Sequence, residues 1–249
     1  MMLIALFLFA AHVFNTNADD AYLPPYIEAC EFSNENLEQC IKEQIEKSLP
    51  EFTKGIPELD VPSTDPVHLD DINIDGNGLK LTFTKALMHG LKGSHLKEFK
   101  LKFDGDHGNF KLAFISNMSL TAEYEADGKL LILQIKGKGD ALINCVNVDV
   151  EIESKLNQVK DNNGKDHLKL GTPSYKYKIE KTTFDLKNLF NGNKELADTT
   201  LQFANENWQQ LMDDLAPPAI KQIVKTVVKA INKFFASVTT QQIIKGYSP

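Results

Sequence analysis

The sequence predicts an α+β fold: one domain in which an antiparallel sheet is flanked in the chain by helices. Three observations predict it. Apolar residues recur every fourth position at Leu37, Ile41, Ile45 and Leu49. Between residue 67 and about residue 185 the period falls to two, in short runs broken by turn residues, and after Leu186 the helical period returns as far as Val238. With 249 residues and 42% hydrophobic content the chain can fill a substantial core, which excludes wholesale disorder and collagen-like structure. No internal repeat, low-complexity tract or flexible linker divides it.

Residues 3–14, LIALFLFAAHVF, are an uncharged apolar run followed by Asn15, Thr16, Asn17 and Ala18. This reads as a secretory signal, residues 1–18, leaving a secreted domain of residues 19–249. The run is shorter than the roughly 20 residues that span a bilayer. A secreted chain tolerates disulfides, and Cys30 and Cys40 lie close enough to tie a small loop, a closure that stabilises by about 3 kcal/mol. The third cysteine, Cys145, sits in the apolar run ALINCVNVDVEIE and reads as a buried, inert thiol.

The first helix takes Ser33 as N-cap with Glu35 in its first turn, and Pro50 ends it. The following GIPELDVPSTDP, with prolines at 57, 62 and 66, is extended. Alternation then marks strands at Leu79, Leu81 and Phe83; at Phe99, Leu101 and Phe103; and at Leu112, Phe114, Ser116, Met118, Leu120 and Ala122. It continues through Val146, Val148, Val150 and Ile152 and then Tyr175, Tyr177 and Ile179. Turns are expected at 75–78 (DGNG), 104–109 (DGDHGN), 126–128 (ADG) and 161–164 (DNNG). Strands joined this tightly pair antiparallel. Gly137 and Gly139 predict a bulge or bend, which lets a sheet curl. At the C-terminal end Leu201, Ala204, Trp208, Leu211 and Leu215 share a helical face, Pro217 and Pro218 interrupt, and residues 219–238 form a second helix. Lys221, Lys225, Lys229 and Lys233 line its other side and forbid a spanning helix.

Composition and motifs exclude most chemistry. All 27 basic residues are lysine and the net charge is -7, so the chain lacks the guanidinium forks of a nucleic-acid reader. Gly93, Ser94 and His95 do not have the spacing of a G-x-S-x-G elbow, and the histidines are scattered without H-E-x-x-H. Asp104, Asp106 and His107 lie in a turn that lacks the twelve-residue calcium loop. The expectation is a protein with no catalytic residues, cofactor or metal. What it has instead is 15 phenylalanines and six tyrosines spread over strands and the last helix. Periodicity alone serves a filled core or a lined cavity equally well. A curved sheet closed around one apolar helix leaves a continuous channel where facing side chains do not meet.

The paired cysteines after LPPYIEAC, the GIPELDVPSTDP segment, LLILQIKGKGDALINCVNV, NLFNGNKEL at 188–196 and FANENWQQLMDDLAPP at 203–218 resemble the insect takeout / juvenile hormone binding protein family, in the right order over the whole mature chain. The resemblance implies a strongly curved antiparallel sheet wrapped around a long C-terminal helix, an elongated tubular lipid-binding module like half of a BPI-type protein. It implies secretion, a non-enzymatic carrier of a hydrophobic small molecule (a juvenile hormone-like terpenoid, a fatty acid or another lipid), and a role in circadian, feeding or hormone physiology. It also implies the Cys30–Cys40 disulfide, with residues 188–192 and Asn205, Glu206, Asn207 and Trp208 as scaffold. Hormone carriers of the family have a second disulfide; Cys145 has no later partner, which favours the takeout branch over juvenile hormone as ligand. The apolar faces nominate Phe83, Phe114, Met118, Tyr124, Leu133, Val148 and Tyr177 on the sheet and Trp208, Met212, Val224, Val228 and Phe235 on the helix as channel lining. Tyrosine hydroxyls are the expected polar handles. Asn117-Met118-Ser119 is a glycosylation acceptor, with Asn117 outward and Met118 inward. The expected partner is the hydrophobic ligand bound by a monomer, with transient membrane or receptor contact; the lysine stripe at 221–233 offers membrane docking and lipid transfer as the alternative function.

Overall fold

The computed structural model describes residues 22–33, 35–76, 78–105 and 107–247, so the expected signal at 1–18, Asn77 and Asp106 lie outside the described residues. Strand β1 (Cys30–Glu31) precedes helix α1 (Leu37–Phe52). The sheet strands follow: β2 (Val67–His68), β3 (Ile72–Gly76), β4 (Leu79–His89), β5 (His95–Asp104), β6 (His107–Leu130), β7 (Leu133–Lys160), β8 (Asp166–Leu170), β9 (Ser174–Lys178) and β10 (Lys181–Leu186). Helices α2 (Lys194–Glu206), α3 (Trp208–Ser237) and α4 (Thr240–Ile243) and strand β11 (Ile244–Lys245) complete the chain.

Two very long strands organise the sheet. β6 pairs antiparallel with β7 from Leu130↔Leu133 to His107↔Asn157. β4 and β5 share the far edge of β6, with β3 and β2 beyond β4. Along the far edge of β7 three short strands lie end to end: β10 opposite 141–146, β9 opposite 149–153 and β8 opposite 156–160. At about 3.3 Å per residue the 28 residues of β7 would run some 90 Å if straight. The 30-residue α3 is only about 45 Å long. The sheet therefore curls about the helix, as expected for the tubular α+β architecture.

The bend has an identifiable origin. The register of β6 and β7 shifts between Ser116↔Val148 and Met118↔Cys145, and Asn147 takes a φ of 48°. One extra residue on β7 kinks the ladder and reverses which side chains face inward. Val148, Val150 and Ile152 share the concave face on one side of the bulge; Cys145, Ile143 and Ala141 do so on the other. Val146, expected to continue the Val148 face, consequently points outward and is 40% exposed.

Gly137 and Gly139 do not form the expected bulge; both stay in register, opposite Ala126 and Tyr124. Their reason is close approach. A Cβ on Gly139 would lie 2.5 Å from the Lys187 carbonyl oxygen, and one on Gly137 would lie 2.8 Å from the Tyr124 hydroxyl and 3.0 Å from Leu189 Cα. The bare backbone lets residues 187–189 lie across the sheet, where the Tyr124 hydroxyl donates to Lys187 O at 2.8 Å and Leu189 is fully buried.

Other boundaries move for equally local reasons. α1 is capped at Asn36, not Ser33, and continues through Pro50 to Phe52. Pro217 and Pro218 lie inside α3, and the break falls earlier, at Asn207 between α2 and α3. The carbonyls the two prolines leave without donors belong to Asp213 and Asp214, which are exposed and can be hydrated. The β6–β7 turn is at Leu131 and Ile132 instead of 126–128, with Leu131 at a φ of 55° and Ile132 80% exposed. Cys30 and Cys40 are joined as expected, fastening β1 to α1.

Polar clasps hold the helices to the sheet. The Asn205 amide accepts from Phe184 N at 2.7 Å and donates to Phe184 O at 3.1 Å, which completes a backbone pair on β10. Asn232 does the same for Leu170 on β8, at 2.7 and 3.1 Å. On the opposite edge Gln222 accepts from Asp70 N at 2.8 Å, and Lys233 donates to the Asp60 carbonyl at 2.9 Å and also to its carboxylate.

Candidate functional site

The buried apolar residues between sheet and helices gather in three clusters. At one end Phe83, Tyr124, Ile135, Ile143, Phe184 and Leu189 form a buried core against which Met118, Trp208, Met212, Leu215 and Ile223 pack. At the other end Leu101, Leu156, Leu168, Leu170, Ile244 and Tyr247 form a second core that Val228, Ile231 and Phe235 join. A third, beside it, gathers Ile56, Val61, Ala230, Phe234 and Val238. The ring of Tyr247 stacks at 4.2 Å from Phe103 and 4.9 Å from Phe32, closing that end.

In the stretch of α3 between Ala216 and Ala230 no residue is buried, although Ile220, Ile223, Val224, Val227 and Val228 are apolar. An amphipathic helix pressed on a filled core buries its inner face, as this helix does at Leu211, Ala216, Ala230 and Phe234. The facing sheet behaves alike. Two cross-strand rows run over the concave face, Leu96–Phe114–Val150–Tyr177 and Phe99–Leu112–Ile152–Tyr175. Of these eight side chains only Leu96 and Phe114 are buried. Both faces are therefore apolar and largely half-buried in the middle of the tube, the composition a lipid-lined channel requires.

The twelve residues nominated from sequence divide accordingly. Phe114, Val148, Tyr177 and Val224 belong to the loosely covered middle, where Phe114 and Val148 are themselves buried. Phe83 and Tyr124 lie within the first core, with Met118, Trp208 and Met212 on its border. Val228 and Phe235 border the second core, and Leu133 is half-buried beside the β6–β7 turn. Leu112, Val150, Ile152, Tyr175, Ile220 and Val227 complete the middle and were not nominated, although their alternation was visible in the sequence.

Polar groups near the channel are few. Tyr124 is spent on Lys187 O, and burial pushes its phenol up to about 12. Tyr175 and Tyr177 are half-buried, and among the described residues neither hydroxyl has a protein hydrogen-bond partner. Burial first, then the negative Asp213 carboxylate and the neighbouring Tyr175, raise the Tyr177 phenol. Cys145 is half-buried with Sγ 3.6 Å from Thr182 Oγ1, and burial raises its thiol, so it is a poor nucleophile. Ser94 Oγ is buried without a partner while its neighbour His95 is exposed. Asn117 is exposed on the convex face and accepts from Asn147 N at 2.8 Å, bracing the bulge. No helix among the described residues is long and apolar enough to cross a membrane.

Comparison with known proteins agrees with this geometry. The profile of the family described as haemolymph juvenile hormone binding protein (JHBP) matches residues 3–245. The chain is 30% identical over 225 residues to the circadian clock-controlled protein daywake of Drosophila melanogaster, covering 86% of this chain and 85% of that protein. It is 28% identical over 233 residues to daywake of Drosophila yakuba, covering 90% and 88%. The crystal structure of Epiphyas postvittana Takeout 1 superposes with a TM-score of 0.80 at 30% identity, covering 88% of this chain and 99% of that one.

Proposed function

Because the chain belongs to the haemolymph juvenile hormone binding protein family, we propose that it is a secreted, non-enzymatic carrier that takes up one hydrophobic small molecule between sheet and helix. The single observation that supports this most is the unburied inner face of α3 between Ala216 and Ala230, opposite the half-buried rows of β5, β6, β7 and β9. The ligand is a largely apolar lipid or terpenoid. At about 0.8 kcal/mol per buried CH₂, a fifteen-carbon chain contributes on the order of 12 kcal/mol gross, before ordering and association costs. Two tyrosine hydroxyls are then enough polar contact. Likeness to the daywake proteins supports a role in circadian physiology, and Asn117 is a site for a sugar in a secreted chain.

The test is stoichiometric uptake of a neutral fluorescent lipid by the purified full-length secreted protein, together with mass spectrometry of lipids that co-purify with it. One equivalent bound supports the carrier; no uptake and no co-purifying lipid reject it. A second reading, docking on anionic bilayers, is favoured by the exposed Lys221, Lys225 and Lys229 at every fourth position of α3. Vesicle binding that falls with added salt supports it, and binding indifferent to anionic lipid removes it.

A further inference from the structure

We propose that the ligand enters and leaves sideways, through the seam between β9 and the middle of α3, with Tyr175 and Tyr177 as its gate. The inference rests on the carrier reading and locates the entrance to that site. Packed side chains occupy both ends of the tube, the core around Phe83 and Leu189 at one and the Phe32, Phe103 and Tyr247 rings with the β1–β11 pair at the other. The free edge of β5 is covered by α1, whose Glu38 accepts from Leu101 N at 2.8 Å. The β2–β3 side is clasped to the middle of α3 by Gln222 and Asp70.

The remaining edge is the file of β10, β9 and β8. Asn205 clasps β10 to α2 and Asn232 clasps β8 to α3, each through a paired amide. Among the described residues no helix side chain bonds β9, which lies between them. β9 is five residues long and is set off by Gly171–Pro173 on one side and Ile179–Glu180 on the other, so its own short ladder to residues 149–153 can open without unpairing β8 or β10. The stretch of α3 that buries no residue, begun by Pro217 and Pro218, lies in the chain between the two clasping residues Asn205 and Asn232. Tyr177 and Tyr175 stand directly in the rows of Val150 and Ile152, so displacing them exposes the middle of the channel. Among the described residues a clasp is thus absent where the sheet rows and the helix are also least buried, which is what a mouth requires.

The decisive measurement is stopped-flow uptake and release of N-phenylnaphthylamine, an uncharged apolar fluorophore, by the full-length chain. In a Tyr175→Ala/Tyr177→Ala variant the association rate rises by about tenfold, and dissociation rises at least as much because the tyrosine contacts are lost as well. If the tyrosines only line the site, dissociation alone accelerates, and the proposal falls. Ile132→Ser, at the turn closing one end, leaves both rates unchanged; a faster association there would place the mouth at that end and also overturn it. Hydrogen exchange on the unaltered protein decides independently of any variant. Amides of β9 exchange faster than those of β8 and β10, and equal protection of the three refutes the seam. Failure of the fluorophore to enter the unaltered protein sinks the carrier reading, while the exchange comparison still rules on the seam.

Discussion

Replacing Val224 by phenylalanine distinguishes a channel from a core by the sign of its effect. Val224 sits on α3 in the stretch without a buried residue and belongs to none of the three packed clusters. Phenylalanine adds about four carbons, which at about 0.8 kcal/mol each and roughly half burial is worth about 1.5 kcal/mol of added stability in the empty protein. For a chain of this size that raises Tm by about 3–6 °C. In a close-packed interior the same insertion would cost about 1–3 kcal/mol and lower Tm. The added ring also takes space from the cargo: about four carbons' worth of lipid contact, or about 3 kcal/mol, weakens binding on the order of a hundredfold. Thermal unfolding of delipidated protein and probe titration read the two effects separately. A lowered Tm with undiminished binding would refute the reasoning.

The clasps and the sheet contacts give further expectations. Asn232→Ala removes two hydrogen bonds to Leu170, costing about 2 kcal/mol and lowering Tm by about 4–8 °C, as calorimetry would show. Gly139→Ala drives a Cβ to 2.5 Å from the Lys187 carbonyl and destabilises by more than about 2 kcal/mol in urea unfolding, whereas Gly76→Ala, with nothing within 4 Å, changes little. The Asp161 carboxyl is held below its usual range first by the Lys165 amide, then by the Asn163 amide and His167. Its folded value being depressed, the stabilisation is present above the ordinary carboxylate pKa and is lost as pH falls through the folded one, so acid loosens the 161–165 turn in exchange measurements while neutral pH does not. Ser119→Ala, which leaves the Asn117–Asn147 bond in place, abolishes an electrophoretic shift seen after glycosidase treatment of secreted protein.

Much of this fold is written in period and punctuation. The two-residue alternation from Leu112 to Ala122 survives intact because β6 keeps one parity across the bulge. β7 does not, and nothing in Val146-Asn147-Val148 announces it, since valine suits both faces. The prolines misled for a related reason: a proline breaks a helix where the freed carbonyls have no water, and at Pro50, Pro217 and Pro218 exposure supplies it. The Gly137 and Gly139 pair was legible as special but not as a contact with residue 187 across the sheet, because that neighbour is distant in sequence. For the site, apolar alternation marked which residues face inward and could not tell depth. Phe83 and Tyr124 look the same as Phe114 and Tyr177 in sequence, yet the first pair is packed into a core and the second pair stands over the open middle.

The incompletely covered middle also explains why the clasps are polar. Where sheet and helix bury each other fully, as at Leu211 in the core with Phe83, Ile143 and Phe184, packing fixes their spacing. Between the cores, where the facing side chains are only half-buried, packing holds them less, and collapse there would gain apolar burial at the cargo's expense. Asn205, Asn232 and Gln222 resist that collapse by tying helix to backbone at fixed length, through bonds whose geometry is far stricter than hydrophobic contact. Asn205 and Asn232 serve edges that would otherwise expose unpaired backbone groups, so each amide both ends a sheet edge and sets the width of the interior. On this argument the clasps are part of the binding site without touching its contents. An Asn205→Leu/Asn232→Leu variant should close on itself, losing probe binding more than it loses stability.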